Sequence, residues 1–144
     1  MWPCGCNYWK TIRRFYPILA SFIQTQCIYN MDKFRTFMAM ARDRGLTERV
    51  HILAGVTPLK SLPMAKYMAS KVSGIEIPPA LLKRLKGVPK KDRAKEGIKI
   101  CMEQIQELKD IEGVHGVHLM AIEWEERVPE IVKGAGLYPR PLAA

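Results

Sequence analysis

The side chains best placed to do chemistry in this 144-residue chain stand directly after short apolar runs. Four such strings occur: Gln24-Thr25-Gln26, Ala54-Gly55-Val56-Thr57-Pro58, Ile77-Pro78-Pro79 and Met120-Ala121-Ile122-Glu123. Each follows residues of strand composition and precedes a helical pattern. Parallel strands joined by helices carry their functional groups at the carboxyl ends of the strands. We therefore expect a site to be built from these strings.

Glu123, Glu125 and Glu126 form a group of candidate acids after the last apolar run. A carboxyl group can serve as a general acid or base. The same residues also stand where a helix is predicted to begin, and negative charge there is stabilised by the helix macrodipole. Helix initiation explains the cluster equally well, so we assign it no catalytic role.

The cysteines and histidines do not predict a metal site. Cys4 and Cys6 are too close in sequence for an ordinary disulfide, and a lone Cys-x-Cys does not supply a zinc ligand set. His115 and His118 fall in a predicted strand, where residues three apart point to opposite faces. Four cysteines without a pairing pattern indicate a reduced chain, so we expect a cytoplasmic location.

The net charge of +9 raises the question of nucleic-acid binding, because clustered Lys and Arg bind phosphates by counterion release. Eight basic residues lie within residues 83–99, relieved by Asp92 and Glu96. The stretch has no interleaved aromatic residues and matches no recognition motif. The sequence therefore favours a solvated helix face and disfavours nucleic acid as a partner, with a basic binding or assembly module as the alternative.

Neither a membrane span nor a secretory signal is predicted. No apolar stretch approaches the roughly 18 residues that a transmembrane helix needs. Residues 1–22 place a short apolar run after three basic residues, but no small-residue cleavage site follows. We therefore expect a non-secretory chain without a membrane partner.

Three stretches have the pattern of a strand running into a helix: residues 22–44, 50–71 and 114–133. A compressed fourth version covers residues 75–85. Consecutive βα units predict an α/β fold with parallel strands and right-handed connections. A hydrophobic content of 48% is ample for the core of one domain.

Cap and turn residues delimit these units. Asn30 and Ser61 are predicted to cap the first two helices, and Gly45 and Gly74 to end them. The longest predicted helix covers residues 92–109, with apolar side chains at helical spacing. Residues 1–21 lack this regularity, so the chain divides into an atypical segment, 1–21, and a βα region, 22–144.

Four βα units are half of what a TIM barrel requires, since eight units need about 250 residues. A half barrel leaves two unpaired sheet edges. The pattern by itself is therefore compatible with a smaller open sheet, with a piece of a larger protein, or with a chain that pairs with another half.

From about residue 21 to residue 142 the chain resembles the C-terminal half of the methylenetetrahydrofolate reductase family. The strings that carry the resemblance are FIQTQ at 22–26, ILAGVTP at 52–58, SGIEIP at 73–78, GVHL at 116–119 and GLYP at 136–139. The resemblance implies a partial TIM (β/α)8 barrel, made of its last four βα units, over residues 22–144.

The family reaction implied by this resemblance is hydride transfer from NAD(P)H through FAD to 5,10-methylenetetrahydrofolate, which gives 5-methyltetrahydrofolate. By resemblance, Gln26 matches the glutamine that faces the pterin of the folate, and a carboxamide can both donate to and accept from that ring edge. Leu62 falls where the family has an apolar residue packing on the folate. Without the family, Gln26 would be read as a strand-end residue bonding to backbone, and Leu62 as core.

The resemblance also implies what lies elsewhere. The family's proton-donating glutamate is on the first strand of the barrel. Most of its FAD contacts come from strands and loops before the fifth strand, which is the first one matched here. We therefore expect a truncated copy that is inactive alone and needs a complementary half, supplied by another chain or by self-association. A pterin-binding barrel that transfers a methyl group, and needs no flavin, is the remaining alternative.

Overall fold

The computed structural model describes residues 20–139, so most of the segment 1–21, with Cys4 and Cys6, lies outside the described residues. Three strands alternate with five helices and two short 3-10 turns in this part of the chain. The strands are β1 (Phe22–Cys27), β2 (His51–Val56) and β3 (Val114–Leu119). The helices are α1 (Met31–Asp43), α2 (Leu62–Lys71), α3 (Pro79–Gly87), α4 (Arg93–Lys109) and α5 (Val128–Gly134), and the 3-10 turns are Lys90–Asp92 and Glu125–Arg127.

The three strands form one parallel sheet in the order β1-β2-β3. Phe22 lies opposite His51, and Ile52 lies opposite Val114. The prediction of consecutive βα units with parallel strands is confirmed for these three. The carboxyl ends of all three strands therefore lie at the same end of the sheet.

The predicted fourth strand at residues 75–77 is wrong. β2 pairs directly with β3, which leaves no place for a strand between them. Ile75 and Ile77 are buried in a segment without regular secondary structure, while the exposed Glu76 carboxylate accepts hydrogen bonds from Asn30 Nδ2 at 2.8 Å and from Lys33 Nζ. The segment is therefore held by side chains beside the start of α1, and the structure has three paired strands among its described residues where four were predicted.

The predicted caps are confirmed. The Asn30 side chain accepts a hydrogen bond from Lys33 N at 3.1 Å, and Ser61 Oγ accepts one from Met64 N at 3.3 Å. Gly45 has φ +64, a left-handed conformation that favours glycine, and its N–H donates to Arg42 O. These local signals fix where α1 begins and ends and where α2 begins.

The main core lies between one face of the sheet and helices α1, α4 and α5. Ile52, Ala54 and Val56 of β2 are buried against these helices. The helical side of this core consists of Phe34, Met38, Ala41, Ile98, Cys101, Ile105, Leu108 and Ile131. The other face of the sheet carries exposed side chains, among them Phe22 at 54% exposure, and no described helix covers it.

A second, smaller core anchors α2 and α3 beside α4. It contains Met68 of α2, Leu85 of α3 and Ile100 of α4. Arg84 of α3 reinforces this arrangement, since its guanidinium reaches Glu96 at 2.5 Å and Glu103 at 2.5 Å on α4. None of the helices in residues 20–139 is long and apolar enough to cross a membrane.

Candidate functional site

β1 has a bulge near its carboxyl end, where the sequence predicted a site. The register changes between Gln24 and Cys27, so Thr25 and Gln26 together lie opposite Ala54. Thr25 Oγ1 accepts a hydrogen bond from Gly55 N at 2.9 Å and donates one to Gln26 O at 3.0 Å. The threonine hydroxyl therefore supplies the bond that the interrupted ladder cannot make, as the cost of unpaired buried backbone requires.

Gly55 allows β1 and β2 to approach at the bulge. A Cβ at this position would lie 2.5 Å from Thr25 O and 2.8 Å from Gln26 O, both backbone atoms. These distances are too short for any side chain. The glycine in the string ILAGVTP is thus required by the geometry that presents Gln26.

Gln26 is exposed at the end of β1. Its Oε1 accepts a hydrogen bond from Cys27 N at 3.1 Å. An amide oxygen has two lone pairs, and its NH2 group has two donors. Gln26 therefore bonds to local backbone, as its strand-end position alone suggested, and keeps hydrogen-bonding capacity for a ligand.

Leu62 is the first residue of α2 and is half-buried. It packs against the second core, which also contains Cys27 and Leu59. Its observed role is that of a core residue, with part of its side chain still open to solvent.

The sequence did not reveal a polar contact on the uncovered face of the sheet. Gln24 Nε2 of β1 donates to His118 Nδ1 of β3 at 3.3 Å, across the intervening β2. Gly55 is the register partner of His118 and places no side chain between them. A glycine in a central strand, flanked by polar residues on both neighbours, is the signal that could have indicated this contact.

A second bulge, in β3, corrects the interpretation of His115 and His118. The register with β2 shifts between Ile52 and Leu53, which makes His115 an extra residue of β3. The His115 ring contacts His51 with centroids 4.8 Å apart, and His51 lies on the same side of the sheet as Leu53. The argument that the two histidines point to opposite faces is therefore wrong.

The hydrogen bonding of His115 nevertheless opposes a metal site at the histidine pair. Ile52 N donates to His115 Nδ1 at 3.2 Å, so in the neutral ring the proton is on Nε2. A metal at Nε2 would require that proton to move to Nδ1 and would break the bond to Ile52. Among residues 20–139, no group of three or more potential ligand side chains could hold a metal ion.

Cys27 and Tyr29 continue from β1 into the interior. Cys27 Sγ lies 3.0 Å from Thr57 Oγ1, and Tyr29 OH donates to Thr57 O at 2.9 Å. Burial raises the pKa of both Cys27 and Tyr29. Burial also raises the pKa of Cys101 to about 12. All three groups stay protonated at neutral pH, and Cys27 and Tyr29 hold the chain after β2 through Thr57. We therefore regard them as structural rather than nucleophilic.

Lys60 joins the two chain segments that follow β2 and β3. Its Nζ donates to Glu123 O at 3.0 Å and lies 5.9 Å from the ring centroid of Trp124. Glu123 has φ 51, which is uncommon for a residue other than glycine. β3 itself ends earlier, at Leu119.

The described strands do not by themselves fit a whole FAD molecule. The cofactor carries a diphosphate, which proteins usually meet with backbone N–H groups or basic side chains. β1, β2 and β3 contain no lysine or arginine. Their uncovered face offers Gln24 and His118 beside the apolar Phe22 and Leu53, and Gln26 is exposed at the end of β1, a set better suited to an uncharged ring with amide-like edges.

Comparison with known proteins identifies one family. The family model described as methylenetetrahydrofolate reductase matches residues 19–136. The "Probable methylenetetrahydrofolate reductase (NADPH)" of Caenorhabditis elegans is 31% identical over 121 residues, which cover 83% of this chain and 18% of that protein. "Methylenetetrahydrofolate reductase 2" of Schizosaccharomyces pombe is 28% identical over 124 residues, or 82% of this chain and 19% of that protein. The chain thus spans about a fifth of the length of these curated relatives.

Proposed function

Because the chain belongs to the methylenetetrahydrofolate reductase family, we propose that it supplies the folate-binding side of a reductase barrel. The observation that carries the proposal is the match over residues 19–136, which includes all three strands and the bulge that presents Gln26. The matched region therefore contains the sheet edge where parallel α/β proteins bind their ligands.

The proposed reaction reduces 5,10-methylenetetrahydrofolate to 5-methyltetrahydrofolate at the expense of NAD(P)H. FAD would supply the hydride-carrier chemistry between the nicotinamide and the folate, and residues other than those of the described strands would hold it. In this proposal the chain's own residues bind and orient the folate and do not hold the flavin diphosphate. Orientation matters because hydride transfer requires donor and acceptor in near-attack geometry.

Gln26 is the proposed contact to the pterin. Its carboxamide has a second oxygen lone pair and two N–H donors beyond the bond to Cys27, so it can pair with a ring edge that both donates and accepts. Leu62 is proposed to pack on the folate with the part of its side chain that remains exposed. Gln24 and His118 stand on the uncovered face and extend the polar surface from β1 to β3.

The proposed partner is a complementary half of the barrel, from another chain or from a second copy. β1 and β3 are the edge strands of the described sheet, and unpaired edges are ready to accept further strands. A cytoplasmic location is also proposed, supported by buried Cys27 and Cys101, which are both free thiols.

A chimera tests the proposed function. The segment of the C. elegans relative that matches this chain is replaced by residues 19–136, and oxidation of NADPH is followed with and without methylenetetrahydrofolate. We expect folate-dependent oxidation, because the replaced segment would restore the folate side of the site. If the chimera retains flavin and is reduced by NADPH, yet the folate does not reoxidise it, the proposal is wrong.

A further inference from the structure

Six lysines form an exposed surface on α3, the following 3-10 turn and α4. All six side chains are exposed, and they lie within 17 consecutive residues. We refer to this surface as the lysine ridge, and it consists of Lys83, Lys86, Lys90, Lys91, Lys95 and Lys99.

The nearby carboxylates do not neutralise the lysine ridge. Arg84 forms ion pairs with both Glu96 and Glu103, at 2.5 Å each. These two carboxylates of α4 are therefore already paired with an arginine of α3. Lys99 lies close enough to Glu103 to help lower its pKa. Within residues 20–139, none of the six lysines forms an ion pair with a carboxylate. Asp92 is the one acidic residue of the stretch 83–99 that Arg84 does not bind, so the ridge keeps a net positive charge toward solvent.

Three of the six lysines, Lys91, Lys95 and Lys99, follow one another at intervals of four residues. Lys95 and Lys99 are one turn apart on α4, and Lys91 lies one turn before them in the 3-10 segment. Four residues of α-helix rise about 6 Å. Two nucleotides of one strand advance about 7 Å along a duplex. Successive lysines can therefore meet alternate phosphates of a nucleic-acid backbone.

Other polyanionic partners fit the lysine ridge less well. Peripheral membrane binding needs apolar side chains beside the charges, and the large exposed apolar residues of the described chain, Phe22, Tyr67, Ile122 and Tyr138, all lie outside the ridge. Protein interfaces are depleted in lysine and use aromatic or arginine anchors. The ridge offers no such anchor, because Arg84 is already paired with two carboxylates.

We propose that the lysine ridge binds the phosphate backbone of nucleic acid without sequence preference. Base reading needs stacking aromatic residues or bidentate side chains, and the ridge has neither. Binding would depend on salt, since each phosphate that is neutralised releases condensed counterions. The surface is on the helical side of the sheet, so this inference does not depend on the proposed folate site.

Fluorescence anisotropy of a short labelled RNA of mixed sequence tests the proposal. Two variants of the whole chain are compared: Lys91→Gln/Lys95→Gln/Lys99→Gln, and the matched control Lys66→Gln/Lys71→Gln/Lys133→Gln, which removes equal charge from exposed lysines elsewhere. Circular dichroism verifies that both fold. We expect the ridge variant to bind about 100-fold more weakly at ~0.1 M salt, with a log–log salt slope smaller by about 2. The control should stay within about threefold of the unmodified chain.

Four results would overturn the proposal. Equal loss of RNA affinity in the two variants would mean that binding depends on net charge and not on the ridge. Absence of RNA binding by the unmodified chain at low salt would remove the nucleic-acid partner. Binding to vesicles of anionic lipid, or to polyglutamate, at least as tight as binding to RNA would assign the ridge to another polyanion. A sequence-scrambled RNA should bind equally, and a clear preference would contradict backbone recognition.

Discussion

Single residues set the geometry of the candidate site through hydrogen bonds that the side chains make with the backbone. Thr25 completes the interrupted ladder at the bulge of β1, and Gly55 leaves room for it. Gln26 emerges next to them with its oxygen bonded to Cys27 N. A side chain fixed in this way loses less freedom when it binds a ligand.

Replacing Gln26 by Ala in the chimera should slow reoxidation of the flavin by folate far more than its reduction by NADPH. Gln26 is exposed at the strand end and can both donate and accept hydrogen bonds. If bound folate buries this bond, its loss costs about 1 to 3 kcal/mol. Rapid mixing measures the two half-reactions separately. Equal slowing of both would indicate a structural role, and no change in either would exclude Gln26 from the site.

Thr25→Val should destabilise the fold by about 1 to 3 kcal/mol, because the buried N–H of Gly55 loses its acceptor while the shape of the side chain is kept. Thr36→Val is the matched control. Its hydroxyl donates to Asp32 O on an exposed helix face, and its removal should cost much less. Urea unfolding of the two variants checks this, and equal losses would contradict the role given to Thr25.

The sequence predicts only part of the candidate site. It places Gln26 at the end of a predicted strand, because the residue follows a short apolar run. The contact of Gln24 with His118 and the side taken by His115 do not follow, because each depends on a bulge. A bulge adds one residue to one strand, which alternation along a single sequence does not reveal.

At the scale of elements, α4 holds the chain that leaves β2. A Cβ on Gly97 would lie 1.9 Å from Leu59 O, so the helix and this segment are in direct backbone contact. Leu59 is fully buried. The segment that joins β2 to α2 is thus positioned by a helix that comes much later in the sequence.

Gly97→Ala should therefore destabilise the protein by about 1 to 3 kcal/mol, although alanine usually stabilises a helix interior. Gly87→Ala is the control, because a Cβ there meets nothing within 4 Å and its effect should be neutral or slightly stabilising. Thermal unfolding of both variants measures the difference. A Gly97→Ala protein as stable as the unmodified chain would show that the contact with Leu59 relaxes at no cost.

The ion pairs between α3 and α4 give a prediction about acid. Hydrogen bonding to Arg84 lowers the pKa of Glu103, so ionised Glu103 stabilises the folded state above its unfolded pKa, and this stability is lost as the pH falls through the lower folded pKa. Arg84→Met should therefore flatten the decline of the unfolding free energy below about pH 4.3. Both side chains are substantially exposed, so the effect is small.

Urea unfolding at a series of acidic pH values measures that slope. The pKa of Glu76 is lowered chiefly by its hydrogen bond with Lys33, so part of the pH dependence should remain in the Arg84→Met protein. A slope unchanged by the substitution would mean that Arg84 does not bind Glu103 in solution.

Most elements were predictable because their signals are local. Asn30 and Ser61 cap helices within three residues of themselves, and apolar spacing gave α4 within one residue. The short apolar run at residues 75–77 has strand composition but no strand beside it, because β2 and β3 pair with each other. Strand pairing is a property of the assembled sheet, so β-propensity alone wrongly predicted a strand at residues 75–77.

At the scale of the whole molecule, the sheet is covered on one face and open at both edges within the described residues. Its uncovered face carries polar and apolar side chains but no lysine or arginine. In the proposed reductase this face would turn toward the barrel interior and meet strands from a complementary half. The resemblance to the family predicts such a barrel, whereas the strand-helix pattern alone predicted an α/β fold with parallel strands.

The purified chain should neither retain FAD nor oxidise NADPH by itself, because the described strands offer no basic side chain for the flavin diphosphate. An absorbance spectrum after purification in the presence of excess FAD measures this. A stoichiometric flavin spectrum would contradict the prediction and would place the cofactor site in this chain or in an oligomer of it.

Reconstitution in trans tests most directly the claim that this chain is the folate side of a reductase. The C. elegans relative, with its matching segment deleted and its flavin reduced, is mixed with this chain, and flavin reoxidation by methylenetetrahydrofolate is followed. We predict that the chain restores folate-dependent reoxidation and that the Gln26→Ala chain does so much more weakly. If a complex forms around bound flavin and the folate reoxidises it no faster than without the chain, the central claim is wrong.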